Sequence, residues 1–146
     1  MRGRGGGRSV PRTRAVAAGA AVLTVLAGLG VRAFADGDLA KYAGDALYTV
    51  LVCALAAMLA PRARPAGWAG AALAFSWAVE LAQLTGVPAG LSRRSAVAHL
   101  VFGSTFNAPD LFWYAVGAGC GWAVAAGWRR ARGWPDPCEA RPSGHS

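Results

Sequence analysis

Four long apolar runs account for most of the chain. They cover about residues 15–35, 42–60, 66–86 and 109–128, and each ends at a proline, a glycine or a charged residue. At about 1.5 Å per residue, each run is long enough to cross most or all of a ~30 Å hydrocarbon core as a helix. The pattern therefore predicts an all-α fold, an integral membrane four-helix bundle.

The connections between the runs support this division. Residues 61–65 contain two prolines and two arginines, and neither proline can continue a helix. Residues 95–106 are apolar but too short to cross, which predicts a short interfacial or re-entrant segment between helices 3 and 4. The expected organisation is a disordered basic arm over residues 1–14, a four-helix transmembrane domain over residues 15–128 and a disordered tail over residues 129–146.

Composition agrees with a membrane protein, since 55% of the residues are hydrophobic and only 15% are charged. The net charge of +8 comes from arginines that flank the apolar runs, with no aromatic-interleaved basic stretch, so we expect no nucleic-acid partner. The three cysteines form no CxxC motif and have no suitably spaced histidines. We therefore expect no disulfide framework, no metal site and no cofactor.

The basic residues lie mostly on one side of the predicted bundle. The arm, the 61–65 turn and the tail carry eleven arginines, whereas the other side has Arg32, Lys41, Arg93 and Arg94. The positive-inside rule then predicts a multi-pass protein of the bacterial cytoplasmic membrane with both termini in the cytoplasm. The lipid bilayer is its expected surrounding partner.

Helix 1 has a second interpretation, as a cleaved signal peptide. A basic region, an apolar stretch and the sequence from Ala33 to Ala35 before Asp36 resemble a cleavage site. Arg32 beside that site and an apolar stretch longer than the usual 7 to 15 residues favour retention. Cleavage would leave three helices and an external N-terminus.

Under this topology the ionisable residues in or near the helices gather at the outer side. The candidate polar site consists of Arg32, Asp45, Tyr48, Glu80, Gln83, Arg93, Arg94, His99, Asp110 and Tyr114. Helical spacing puts Asp110, Tyr114, Gly117 and Gly121 on one face of helix 4. The two glycines on that face permit close approach of another helix.

Glu80 is the strongest candidate in this set. An unpaired carboxylate at its depth costs about 2.5 kcal/mol or more. We therefore expect Glu80 to lie within reach of Arg32, Arg93, Arg94 or His99 on the outer side. The alternative is a purely structural ion pair that fixes helix 3 against its neighbours. Structural alternatives exist elsewhere too, because a carboxylate in a first helical turn is favoured by the helix dipole and a lone histidine is often simply packed.

Several segments together resemble a known family. They are residues 42–48 (YAGDALY), 80–84 (ELAQL), 99–103 (HLVFG) and 109–114 (PDLFWY), with Arg93 or Arg94, Phe106 and Gly117. Over about residues 20–128 the chain resembles the small bacterial membrane family catalogued as domain of unknown function 2809 and, more distantly, VanZ-like proteins, which are linked to glycopeptide resistance. The resemblance marks Asp45, Glu80, Gln83, one of Arg93 and Arg94, His99, Asp110 and Tyr114, but it implies no mechanism.

Three functional classes follow as hypotheses. The first is a protein that binds or modifies an envelope lipid or its anionic headgroup at an outward-facing polar site, where arginines hold the anion and Glu80 or Asp110 accepts a proton. The second is a small proton-linked transporter, expected as a homo-oligomer because four short helices leave little room for an internal pathway. The third is a structural membrane subunit whose charges lock the bundle. The sequence leaves open whether the protein is an enzyme.

Overall fold

The computed structural model of the chain describes residues 9–87, 90, 93, 95–97 and 106–132. This part of the chain contains four helices and no strand. Their bounds are Ser9–Phe34 for α1, Gly37–Leu59 for α2, Pro65–Gln83 for α3 and Ala108–Ala131 for α4. The predicted all-α class with four helices is therefore confirmed. The predicted interfacial or re-entrant segment lies mostly outside the described residues.

The helix ends differ from the predicted ones by a few residues. α1 begins at Ser9, so it includes the last six residues of the predicted arm. Pro11 is accommodated there because a proline in the first turn lacks only an N–H that would have no partner in the helix. Tertiary contact also extends into this segment, since Thr13 is buried and Arg14 Nε donates to the carbonyl of Met58 at 3.1 Å.

The other helices differ in the same way. α2 begins five residues earlier than predicted, at Gly37, whose φ of 68° is favourable for glycine. α3 ends at Gln83, three residues before its predicted end. α4 continues to Ala131 through Arg129 and Arg130, because cationic side chains are favourable at the negative end of the helix dipole.

The helices surround α2, which packs against each of the other three. α3 and α4 also contact each other, whereas α1 contacts α2 alone among the described helices. Contacts at the ends show the directions, because the start of α1 meets the end of α2 at Arg14 and Met58, and the end of α3 meets the start of α4 at Glu80 and Asn107. Successive helices therefore alternate in direction.

α2 and α4 approach closely at two glycines. A Cβ added to Gly117 would overlap the carbonyl oxygen of Ala46 and lie 3.0 Å from its carbonyl carbon. A Cβ on Gly121 would lie 3.1 Å from the sulfur of Cys53. The prediction that these glycines permit close helix approach is confirmed.

The burial pattern is the reverse of that in a soluble protein. The largest fully buried side chains are Glu80, Thr49 and Ser76, and the apolar core consists mainly of alanines. Large apolar side chains are exposed instead: Leu23, Leu26, Leu29, Leu55, Leu59, Leu81, Phe112 and Val124. Soluble monomers rarely expose such a large apolar surface. This distribution matches an apolar surrounding medium.

Two helices in the described part of the chain are long and apolar enough to cross a membrane. They are Val10–Phe34 and Gly37–Leu59. Only 17% and 22% of the residues in their most apolar windows are buried inside the protein, so neither is a conventional core helix.

Candidate functional site

Glu80 lies on α3, one turn before its end, and is 1% exposed. Its Oε1 accepts a hydrogen bond of 2.6 Å from the backbone N–H of Asn107, immediately before α4. Its Oε2 accepts a hydrogen bond of 3.1 Å from the hydroxyl of Tyr114, inside α4. Both carboxylate oxygens are thus satisfied, and the end of α3 is fixed to the start of α4.

Asp110 lies in the first turn of α4, where the helix dipole favours a carboxylate, and is buried. Its Oδ1 accepts from the ammonium of Lys41 in an ion pair and from the side-chain amide of Asn107 at 2.5 Å. Lys41 is on the first turns of α2, and its side chain is 43% exposed. This ion pair therefore lies at the surface of the site and joins α2 to α4.

Asp45 lies one turn after Lys41 on α2. Its carboxyl group lies close to those of Asp110 and Glu80. Its Oδ2 is buried and has no hydrogen-bond partner in the part of the chain that the structure describes. Asp45, Glu80 and Asp110 form what we call the acidic cluster. Burying a polar atom without a hydrogen-bond partner costs free energy. Asp45 is therefore the member of the cluster whose hydrogen bonding within the fold is least complete.

Aromatic rings of α2 and α4 lie at the same end of the bundle as the acidic cluster. The rings of Tyr48 and Tyr114 lie 6.4 Å apart between their centroids. Tyr42 and Trp113 stack at 5.5 Å, and the Lys41 ammonium lies 5.5 Å from the Tyr42 ring centroid. These rings connect α2 and α4 at the same end of the bundle.

Buried hydroxyls extend the polar site into the bundle. Thr49 and Ser76 are 0% exposed, and their hydroxyl oxygens are 3.2 Å apart between α2 and α3. Ser76 lies one turn before Glu80, and Thr49 also donates to the carbonyl of Asp45 at 3.3 Å. Further along the bundle the buried side chains are mainly those of alanines, including Ala57 and Ala72. The polar site is therefore continuous from one end of the bundle to about its middle.

The family comparison covers this same region. Residues 34–118 match the family described as Protein of unknown function (DUF2809), and they are more than half of the chain. The chain belongs to this family. The match includes α2, α3 and the first part of α4, and so contains all three carboxylates of the acidic cluster. No curated protein and no solved structure shows significant similarity to the chain. The predicted family is confirmed, and it assigns no activity.

The structure brings together half of the predicted site residues. Asp45, Tyr48, Glu80, Asp110 and Tyr114 are neighbours in or around the acidic cluster. Gln83 is half-buried one turn after Glu80. Arg94 and His99 lie outside the described residues, so their place in the site stays a prediction.

The cationic partners expected for Glu80 differ from those found. Arg32 and Arg93 are exposed, and neither forms an ion pair with Glu80. The donors found for Glu80 in the described ranges are a backbone amide and a phenol. A carboxylate that accepts two hydrogen bonds can be buried without direct contact with a cation.

Two further residues, Lys41 and Asn107, belong to the site. Lys41 is the single lysine of the chain and precedes Asp45 by four residues, so the helical i, i+4 spacing could have identified it. Asn107 stands just before Ala108 and Pro109, a position where asparagine commonly begins a helix. Among the described residues, no group of three or more His, Cys, Asp or Glu side chains has a geometry that could hold a metal ion.

Proposed function

We propose that the chain is a multi-pass protein of the bacterial cytoplasmic membrane, with four spans and both termini in the cytoplasm. The exposed apolar side chains and polar core support a membrane location. All five acidic residues in the described ranges are at one end of the bundle, whereas seven arginines are at the other, which supports the orientation. Burial of Thr13, Ala17 and Thr24 along α1 supports its retention in the mature protein.

We further propose that the acidic cluster is an outward-facing site that binds, and on binding can modify, an envelope lipid. The observation that carries this proposal is the buried Oδ2 of Asp45, which lacks a hydrogen-bond partner beside two other carboxylates. A ligand group that donates a hydrogen bond would satisfy this oxygen. The proposed ligand therefore presents a hydroxyl or amine to the site.

The charges in the described site favour a donor group over the anionic headgroup expected from the sequence. Three carboxylates face a single ammonium, that of Lys41, so an anion placed among them would be repelled. Arg32 and Arg93, which were expected to hold an anion, are exposed side chains. The carboxylate oxygens of the site would thus recognise a ligand headgroup that donates hydrogen bonds.

The extent of the polar site favours binding over passage through the bundle. Polar side chains continue from Asp110 to Thr49 and Ser76, and alanines follow them. A transport pathway through the bundle would need polar or hydrated groups beyond Thr49 and Ser76 as well as before them.

Proton-linked transport is the second candidate, and one contact favours it. Asp45 lies close to the carboxylate of Asp110, and a neighbouring negative charge favours the protonated form of a carboxyl group. A site of this kind can take up and release a proton. The third candidate, a structural subunit, would instead require carboxylates whose interactions are all satisfied within the bundle.

Asp45→Asn tests the proposed function. The full chain is purified in mild detergent, and retained lipids are measured by mass spectrometry beside the thermal unfolding temperature. We expect at least about tenfold less of a hydroxyl- or amine-bearing lipid, since a hydrogen bond to a charged group contributes about 1.5–3 kcal/mol. We expect an unchanged unfolding temperature.

Asp38→Asn is the matched control, because Asp38 lies in the first turn of α2, is exposed and loses the same charge. It should retain lipid as the wild type does. Equal retention by the Asp45 variant would contradict the lipid-binding proposal. Proton flux in reconstituted vesicles that is lost in the Asp45 variant, without a retained lipid, would support the transporter instead.

A further inference from the structure

The end of the bundle opposite the acidic cluster carries a concentrated positive charge. Its seven arginines come from three segments, the start of α1, the turn between α2 and α3, and the end of α4. We call this surface the basic end, and it consists of Arg12, Arg14, Arg62, Arg64, Arg129, Arg130 and Arg132. No aspartate or glutamate in the described ranges lies there.

Hydrogen bonds bring these three segments to one place. Arg129 Nη2 donates to the carbonyl of Ala63 at 2.6 Å, which places the end of α4 on the turn that carries Arg62. Arg14 Nε donates to the carbonyl of Met58, at the end of α2. The arginines are therefore gathered by the fold and not only by their positions in the sequence.

Aromatic rings lie against two of these arginines. The Arg129 guanidinium lies 4.7 Å from the centroid of the Trp68 ring, and Trp68 Nε1 donates to the carbonyl of Ala60 at 2.8 Å. Arg132 lies similarly 5.2 Å over the ring of Trp128. Carbonyl oxygens and aromatic faces attract a guanidinium but carry no net negative charge. Arg62 and Arg130, at the same end, are exposed.

Exposed apolar side chains adjoin this positive surface. Leu59, just before the arginine-bearing turn, is 82% exposed, and Val124, less than two turns before Arg129, is 74% exposed. A partner that fits both features has an anionic group next to an apolar body. A phospholipid with a net negative headgroup has this structure, whereas a nucleic acid or free phosphate lacks the apolar part.

We propose that the basic end binds the phosphodiester of an anionic phospholipid in the cytoplasmic leaflet, with Arg62 and Arg130 as exposed phosphate-binding residues. Guanidinium groups form charge-assisted, often bidentate hydrogen bonds with phosphate oxygens. The acyl chains lie against the apolar surface that begins at Leu59. This inference rests on the membrane location proposed above, and it is independent of the ligand of the acidic cluster.

The test compares two double variants of the full chain in detergent micelles that contain equal amounts of phosphatidylglycerol and phosphatidylcholine. Arg62→Gln with Arg130→Gln removes two charges from the basic end. Arg32→Gln with Arg93→Gln removes two exposed charges elsewhere and is the matched control. Native mass spectrometry measures the lipids bound to each protein.

We expect the wild type and the control to bind phosphatidylglycerol in preference to phosphatidylcholine. In the basic-end variant, phosphatidylglycerol binding should weaken roughly fivefold per arginine, the fold-change that corresponds to about 1 kcal/mol. Excess inorganic phosphate should not displace the lipid. Equal losses in both double variants, no preference in the wild type, or displacement by inorganic phosphate would each overturn the proposal.

A different measurement, extraction of membranes with alkaline carbonate, tests the proposed membrane location. That location fails if alkaline carbonate releases the wild-type chain from membranes in soluble form. If the chain stays in the membrane fraction and shows no preference for phosphatidylglycerol, only the inference about the basic end is overturned.

Discussion

Replacement of Gly117 with alanine is expected to separate α2 from α4 and to lower the free energy of unfolding by about 3 kcal/mol. The new methyl group would overlap the carbonyl oxygen of Ala46, a backbone atom that cannot move without shifting α2. The two helices carry the Lys41 to Asp110 ion pair across the same interface, so the acidic cluster should be disturbed as well. Thermal or denaturant unfolding in detergent measures the loss.

Gly119→Ala provides the control within the same helix. A Cβ at Gly119 would meet no atom within 4 Å. Alanine also favours the helix over glycine by about 0.5–1 kcal/mol. We therefore expect this variant to be as stable as the wild type or slightly more stable. Similar destabilisation of the two variants would show that α2 and α4 do not approach at Gly117.

The second large effect is expected at Glu80. Glu80→Ala removes the acceptors of two hydrogen bonds and leaves the half-buried backbone N–H of Asn107 without its partner. Hydrogen bonds to charged groups contribute about 1.5–3 kcal/mol each, so the loss should be about 3 kcal/mol or more. The space left by the side chain adds to this loss. The contact between the end of α3 and the start of α4 should loosen.

Glu80→Gln separates the role of hydrogen bonding from that of charge. Glutamine has nearly the same shape, its oxygen can still accept from Asn107, and its amide can donate to the hydroxyl oxygen of Tyr114. We expect a loss of less than about 1 kcal/mol, because both hydrogen-bond positions stay occupied. If the glutamine variant is as unstable as the alanine variant, the negative charge itself holds the fold. An ion pair with a cationic residue such as Arg94 or His99 would then be the better account.

The helices were predictable because their signal is local. Apolar runs that end at prolines, glycines or charged residues identified all four. The 3.6-residue repeat placed Asp110, Tyr114 and Gly117 on one face of α4, which the structure shows buried. Helix ends were less predictable, since they depend on tertiary contacts. The bond from Arg14 to Met58 joins residues that are 44 positions apart, and it lies in a part of α1 that composition alone describes as a disordered arm.

In the site, too, the burial of Glu80 could be predicted from the sequence, whereas its partners could not. The cost of burying a carboxylate correctly indicated that Glu80 faces other helices, because this argument needs only its depth in an apolar run. Its partners were not predictable, since a backbone amide is present in every residue and Tyr114 lies 34 positions away. The sequence indicates the side of the bundle on which Lys41 lies, but not its partner. Its approach to Asp110 depends on α2 and α4 being neighbours with their starts at the same end.

The central claim, that the acidic cluster faces outward at one end of a four-span bundle, is tested most directly by topology reporters fused to the wild-type chain. Fusions after Arg64 and Arg132 should report the cytoplasm, and fusions after Asp38 and Ser92 should report the exterior. This alternating pattern is expected because successive helices alternate in direction. A cytoplasmic signal after Asp38, or an external signal after Arg64, would contradict the account.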